Sequence, residues 1–228
     1  RPPLATIHPH ETHHPTGLPN RVMNLYLLFL TVATLTVLSP GPGVLMTLTN
    51  ALRYGLRGTI GGILGIAFGA LLVAGISATT LGAVLAASAL AFTVLKLAGA
   101  AYLIYLGARL WRSPPVPVAS EQAHQASFKR RFLEGLSLQL TNPKAIFFFL
   151  SVFPQFIEGE AGFVRQFALL VLTYAALVVV IHTGYALFAH QARAWLTSER
   201  GGRTVNRLGG ATFMCFGVAL TFARKGGA

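Results

Sequence analysis

The sequence predicts an all-α integral membrane protein with six transmembrane helices, arranged as a 3+3 inverted repeat whose first and fourth helices are broken. Of its 228 residues, 54% are hydrophobic and only 11% are charged, and the mean hydropathy is +0.61. Soluble domains carry about 25% charged residues, so this composition indicates a membrane protein. Six apolar segments approach the ~20 residues that a helix needs to cross a bilayer.

The six segments divide the chain into two halves of three. Their limits are about 25–51, 59–79, 84–106, 132–156, 167–189 and 205–222. The fourth and sixth are the least apolar, so a five-span arrangement stays open. A polar linker at about 112–129 separates the halves, which cover about 23–111 and 130–228. With three spans each, the halves would have opposite orientations in the membrane.

The first 22 residues differ from the rest because they are rich in Pro and His and have no periodicity. They also lack the apolar core of a signal peptide. We expect residues 1–22 to be a disordered extension, compatible with a non-native origin, and residues 23–228 to form the transmembrane domain. Four histidines in this stretch either bind a metal loosely or belong to a plain tail: His8, His10, His13 and His14.

The basic residues indicate membrane orientation rather than nucleic-acid binding. The net charge is +12, but the cations lie in short segments between apolar runs. Most of them fall on the side that carries the 112–129 linker, which should therefore be cytoplasmic, with both termini outside. A weak internal echo relates "LAGAAYLIYLG" (97–107) to "LGGATFMCFG" (208–217). It is explained by an inverted repeat or by close helix packing through small residues.

Two helix-breaking motifs occupy corresponding positions in the first spans of the two halves. Proline removes a backbone donor, and glycine tolerates unusual dihedral angles. In a membrane such backbone is tolerated only against protein or a water-filled cavity, and paired breaks mark transporter binding sites. The alternative is a pair of plain proline kinks. The predicted substrate-binding residues are Ser39, Pro40, Gly41, Pro42 and Gly43 in the first break and Asn142, Pro143 and Lys144 in the second.

Three ionisable side chains fall inside predicted spans, where such residues are costly and are functional candidates. Lys144 would attract a carboxylate as a point charge. Lys96 either lines the cavity or pairs with a carbonyl group. His182 either relays protons or is a buried histidine satisfied by a hydroxyl such as that of Thr183.

The acidic residues are all glutamates, and none lies well inside a span. Glu134 is the nearest, which leaves Glu134 and His182 as the candidate proton carriers. With hydroxyls expected from Thr36, Ser39, Thr47 and Thr141, the predicted cavity is net positive and favours an anion or a zwitterion. No catalytic triad, phosphate loop or HExxH motif is present, so neither enzyme activity nor a cofactor or metal is expected. The glycines of "GGILGIAFG" (61–69) predict close helix packing.

Three motifs resemble the lysine-exporter (LysE/RhtB) family of bacterial amino-acid exporters: "LSPGPGVLMTLTNALRYGLRGTIGGILGIAFG", "FTVLKLAGAAYLIYLGARLWR" and "LTNPKAIFFFLSVFPQFI". The resemblance extends from Met23 to the C-terminus. It implies six spans in the bacterial inner membrane and proton-driven export of small amino acids from the cytoplasm. It also implies roles for both breaks, for Lys96 and for Gly99. Unlike family members with an acid in the second or fifth span, "FGALLVAG" and "ALVVVIHTG" have none, which weighs against lysine or arginine as substrate.

The sequence therefore predicts a secondary transporter that exports neutral amino acids resembling threonine, homoserine or leucine. The helix end at 41–44 and Lys144 would hold the carboxylate. Asn142 and the carbonyls near Ser39 would hold the ammonium group. The expected partners are the amino acid, a proton and membrane lipids, and a homo-oligomer is compatible with the sequence. The alternatives are a membrane assembly subunit without transport and a passive channel for small solutes.

Overall fold

A computed structural model describes residues 18–87, 89–114, 127–157, 162–189, 191–196 and 198–222. Within these residues the fold is helical and has no strand, which confirms the all-α prediction. A π-helical turn (Phe148–Val152) and a 3₁₀ turn (Phe153–Phe156) follow α5 directly. The α-helices are α1 (Leu18–Leu38), α2 (Pro42–Ala87), α3 (Ala89–Arg112), α4 (Phe128–Leu140), α5 (Pro143–Phe147), α6 (Phe163–Phe188), α7 (Arg193–Leu196) and α8 (Glu199–Phe222).

Helix α2 consists of two arms that meet at Gly55. The φ of Gly55 is 67° and its ψ is −177°, a left-handed conformation that glycine adopts without a steric penalty. We call residues 42–54 the first arm and residues 56–87 the second arm. The arms pack antiparallel: Gly43 lies beside Ile66, and Gly62 lies beside Met46. The turn falls between the first and second predicted spans, where the sequence predicts a connection.

Helix α6 runs parallel to α1 and also packs beside the first arm of α2. Near its middle, the hydroxyls of Thr173 and Tyr26 are hydrogen-bonded at 3.1 Å. Farther along, the Tyr185 hydroxyl donates to the Leu38 carbonyl at 2.6 Å. These two contacts show that α6 and α1 are parallel. Ala186 and Ala189 at the end of α6 belong to a buried apolar cluster with Val44, Leu48, Ala51 and Leu52 of the first arm.

Small residues bring the second arm of α2 against α4 in parallel orientation. A Cβ atom on Gly61 would lie 2.8 Å from the Phe128 carbonyl oxygen, and one on Gly65 would lie 2.1 Å from that of Phe132. Real Cβ atoms do not approach backbone oxygens this closely, so only glycine permits the observed separation. The prediction that the glycines of residues 61–69 serve helix packing is confirmed.

Helices α3 and α8 pack antiparallel through the two segments of the internal echo. A Cβ atom on Gly107 would meet the Gly210 carbonyl oxygen at 2.6 Å, and one on Gly217 would meet that of Ala100 at 2.8 Å. The contacts are those expected of close packing through small residues, which was the alternative to an inverted repeat. They do not distinguish the two explanations.

An aromatic core joins α1, the second arm of α2, the π-helical turn and α6. Phe29 contacts the rings of Phe148 and Phe153, while Phe149 packs on Phe153 and Tyr174. All five side chains are buried. The core is large because aromatic side chains bury the most apolar area per residue, and it fixes the position of the π-helical turn next to α1.

Two helices among the described residues are long and apolar enough to cross a bilayer, Pro42–Thr79 with 38 residues and Phe163–Phe188 with 26. The chain leaves helical conformation between Leu38 and Pro42 and between Leu140 and Pro143. Helix α1 begins at Leu18, earlier than the predicted first span. Residues 1–17 and most of the predicted linker lie outside the described residues.

Candidate substrate site

The two predicted breaks are in direct contact through the Lys144 side chain. Its ammonium nitrogen donates to the carbonyl oxygen of Thr36 at 2.8 Å. It also donates to the carbonyl oxygen of Ser39 at 3.0 Å and to the Ser39 hydroxyl at 2.9 Å. Thr36 and Ser39 lie at the end of α1, so a residue from the start of α5 completes the C-terminus of a distant helix.

The local sequence of the second break explains why Lys144 points toward α1. Pro143 begins α5, where its missing N–H is no loss, and the side chain of Asn142 caps the helix by accepting from the Lys144 N–H at 3.1 Å. The amide nitrogen of Asn142 lies 3.5 Å from the Gln139 side-chain oxygen. Asn142 is thus engaged within its own break, and Lys144 alone crosses to the other.

The hydrogen bonds of Lys144 use the full donor capacity of its ammonium group. A lysine ammonium has three N–H donors, and three acceptors surround it here. Two are carbonyls at the C-terminal end of α1, where the helix dipole favours a cation. In this conformation Lys144 therefore occupies the position near the Ser39 carbonyl that we expected for the ammonium group of a substrate.

The start of α2 lies on the other side of the Lys144 ammonium group. A Cβ atom on Gly41 would be 3.3 Å from that nitrogen, a tight contact that the absence of a side chain avoids. The first N–H groups of a helix have no partner within the helix and carry positive partial charge. The Lys144 ammonium group, a formal cation, thus lies beside the positive end of α2. This arrangement suits an anionic group.

His182 of α6 lies next to the first break. Its Nδ1 is hydrogen-bonded to the hydroxyl of Thr47 at 2.7 Å, and its ring would lie 3.3 Å from a Cβ atom on Gly43. The side chain is buried. The sequence suggested Thr183 as a hydroxyl partner. Consecutive residues of a helix project their side chains in different directions, about 100° apart. The partner is instead Thr47, from the first arm of α2.

Glu134 does not lie at the breaks. Glu134 is about 12 Å along α4 from Asn142, taking 1.5 Å per residue. It is partly exposed and paired with Arg130 at 3.3 Å and Arg131 at 2.8 Å. The backbone of Lys96 belongs to α3, but its side chain lies outside the described part of the structure.

Three of the four hydroxyls expected to line the cavity donate to carbonyls close by in sequence. The Thr36 hydroxyl donates to the Val32 carbonyl at 2.7 Å, the Ser39 hydroxyl donates to the Thr36 carbonyl at 2.6 Å, and the exposed Thr141 hydroxyl donates to the Ser137 carbonyl at 2.9 Å. Serine and threonine readily form such bonds, which leave no hydroxyl proton for a ligand. It is the carbonyl of Thr36, and not its hydroxyl, that accepts from Lys144.

A second polar cluster surrounds Arg131, and the sequence alone does not predict it. This buried guanidinium donates to Asn50 at 3.2 Å and lies 3.8 Å from the centre of the Tyr54 ring. In the sequence, Arg131 directly follows Lys129 and Arg130 and is one of the cations that lie between apolar runs. The contact with the first arm of α2 joins residues far apart in sequence, and no local pattern indicates it. The cluster lies at the opposite end of the first arm from the breaks.

The described residues form a helical fold in which two interrupted segments meet at Lys144. The sequence model of the family "LysE type translocator" matches residues 34–224. Because this match covers most of the chain, the protein belongs to the LysE type translocator family, as the motifs of both breaks suggested.

Named relatives cover nearly the whole chain. A homoserine/homoserine lactone efflux protein of Salmonella typhimurium is 35% identical over 199 residues, which are 87% of this chain and 97% of the relative. A threonine efflux protein of Escherichia coli K12 is 30% identical over 210 residues, covering 88% and 100%. An uncharacterized membrane protein of Vibrio cholerae is 33% identical over 202 residues, covering 89% and 98%. No solved structure matches this chain.

Proposed function

We propose that this protein exports neutral amino acids across the bacterial inner membrane as a proton-driven secondary transporter. Relatives that match this chain over nearly their full length are named as efflux proteins for homoserine, homoserine lactone and threonine. These names support export and an amino-acid substrate, and they fit a transporter better than an enzyme. The structure adds a place where such a substrate can bind and a titratable side chain beside it.

The helix directions support six membrane crossings. If α1 with the first arm of α2 is one crossing, and α4 with α5 and the two turns is another, the crossings alternate in direction along the chain. The first and fifth must then be parallel, as must the second and fourth, while the third and sixth must be antiparallel. The contacts of α6, α4 and α8 described above all agree with this pattern. The excess of basic residues near the linker favours a cytoplasmic linker, with both termini outside.

The observation that carries the proposal is the insertion of Lys144 from one break into the other. An amino-acid zwitterion has a carboxylate and an ammonium group close together. The Lys144 ammonium and the start of α2 attract the carboxylate, while the carbonyls of Thr36 and Ser39 accept hydrogen bonds from an ammonium group. In the observed conformation the Lys144 ammonium group donates to these carbonyls. Substrate binding would therefore replace the Lys144 ammonium group by the substrate's ammonium group at the end of α1.

Proton coupling is assigned to His182. It is buried, adjoins the first arm of α2 at Thr47 and lies against Gly43. A proton on this ring would add positive charge beside the start of α2 and change the balance of charges around the substrate. Glu134 is less suited, because it is partly exposed and already paired with two arginines.

Transport by purified protein in proteoliposomes tests the proposal against its alternatives. We expect a labelled neutral amino acid to accumulate against its concentration gradient when a pH gradient is imposed, and the accumulation to vanish when a proton ionophore is added. Flux that only equalises the two sides would indicate a passive channel. Absence of flux for every common amino acid, with correctly folded protein, would favour the assembly subunit.

A further inference from the structure

A cavity of about 480 Å³ adjoins Lys144 and extends away from the breaks. It lies between α1, α3, α8 and the segment formed by α5 with its two turns. Its inner end is buried and includes Leu103, Lys144 and Phe148, whereas Leu28 and Phe222 at its mouth are exposed. Phe222 ends α8 and Leu28 lies near the middle of α1, so the cavity extends from the site toward the end of the bundle where α8 ends.

The lining of this cavity is apolar apart from Lys144 and Gln155. Among the described residues that line it, none is acidic and none carries a hydroxyl group. Five of the twelve described residues that line it are phenylalanines: Phe147, Phe148, Phe156, Phe216 and Phe222. A cationic side chain would find no counter-charge here, and a hydroxyl buried against the phenylalanines would lose its hydrogen bonds to water without replacement. The chemistry of the wall therefore matches an apolar group.

The position of Lys144 connects this cavity with the proposed substrate site. Its side chain lines the cavity, while its ammonium nitrogen lies among the acceptors of the first break. An amino acid whose carboxylate and ammonium groups bind at the breaks would have this cavity as the adjoining space for its side chain. The volume lies in the usual range of small-molecule sites, roughly 300–1,000 Å³, and holds side chains larger than those of threonine and homoserine.

We infer that the cavity is the side-chain subsite of the transporter and selects neutral amino acids with bulky apolar side chains, of the size of leucine or phenylalanine. This inference rests on the proposed function and narrows it. It separates this protein from its relatives, whose names refer to the hydroxylated amino acids homoserine and threonine. A lipid acyl chain is the competing occupant, and the experiment must distinguish it from a substrate.

Competition in proteoliposomes tests the selectivity. Labelled leucine is exchanged against unlabelled leucine, phenylalanine, alanine, threonine, homoserine or lysine. We expect leucine and phenylalanine to compete at least about tenfold better than threonine and homoserine, because one or a few buried carbons are worth factors of 10–200. If threonine or homoserine competes as well as leucine, this inference is overturned while the proposed function stands. If no amino acid is exchanged, the proposed function itself fails.

A substitution that fills the cavity tests its location. Ala219 lines the cavity and its neighbour Val218 does not, although both are exposed residues of α8. We expect Ala219→Phe to lower leucine exchange relative to alanine exchange by about tenfold or more, and Val218→Phe to leave the ratio unchanged. An unchanged ratio in Ala219→Phe would overturn the inference. So would a loss of co-purified lipid from Ala219→Phe that leaves the selectivity unaltered.

Discussion

The ammonium group of Lys144 holds the two breaks together at the scale of single residues. Removing it leaves the Ser39 carbonyl without this donor and leaves the Thr36 carbonyl only the bond from the Ser39 hydroxyl, and a buried group that loses its partner costs about 1–3 kcal/mol. We therefore expect Lys144→Met to lower thermal stability in detergent and to reduce transport per folded molecule by at least about tenfold. Lys129→Met, which removes an exposed cation of α4, is the control.

Two results would contradict this role for Lys144. Transport by Lys144→Met at the wild-type rate would show that the substrate does not need the ammonium group. A loss of stability with normal transport by the remaining folded protein would show that Lys144 only caps α1. Lys144→Arg is informative as well, because a planar guanidinium keeps the charge but does not reproduce the three-acceptor geometry.

His182 is the residue on which proton coupling depends in our proposal. Glutamine can still bond to the Thr47 hydroxyl but cannot take up a proton near neutral pH. We expect His182→Gln to abolish accumulation driven by a pH gradient while exchange of internal for external amino acid continues. Accumulation that responds to the pH gradient as in the wild type would exclude His182 as the proton carrier.

At the scale of elements, glycine determines how closely α2 and α4 approach. A methyl group on Gly65 would collide with the backbone of Phe132, and overpacking of this kind costs about 1–3 kcal/mol or more. Gly75, in the same arm, has no atom within 4 Å of the added position and is the matched control. We expect Gly65→Ala to lower the midpoint of thermal unfolding in detergent and Gly75→Ala to leave it unchanged or raise it. Equal midpoints would contradict the packing described here.

The sequence predicted the elements more completely than their contacts. Pro40, Pro42 and Pro143 interrupt helices for local steric reasons, so both interruptions could be placed from the sequence. The bonds from Lys144 to the end of α1 depend on tertiary packing, and the symmetry of the two halves only suggested them. The buried position of Arg131 and the π-helical turn after α5 could not be predicted, since neither has a local sequence signal.

For the whole molecule, orientation decides whether the cavity faces the outside. The expected topology puts the linker in the cytoplasm and both termini outside. In a Cys215→Ser background, a membrane-impermeant thiol reagent applied to intact cells should label Val164→Cys, at the start of α6, but not Lys129→Cys, at the start of α4. Both native side chains are exposed. The reverse labelling pattern would show that the topology is inverted and that the cavity opens to the cytoplasm.

Protection of the first break by substrate tests the central claim most directly. Ser39 contacts the Lys144 ammonium group and is only partly buried. In a Cys215→Ser background, the rate at which a small thiol reagent labels Ser39→Cys is measured with and without a transported amino acid, with Val164→Cys as control. The account predicts several-fold slower labelling of Ser39→Cys at saturating substrate and no change in the control. An unchanged rate for Ser39→Cys would show that the substrate binds elsewhere.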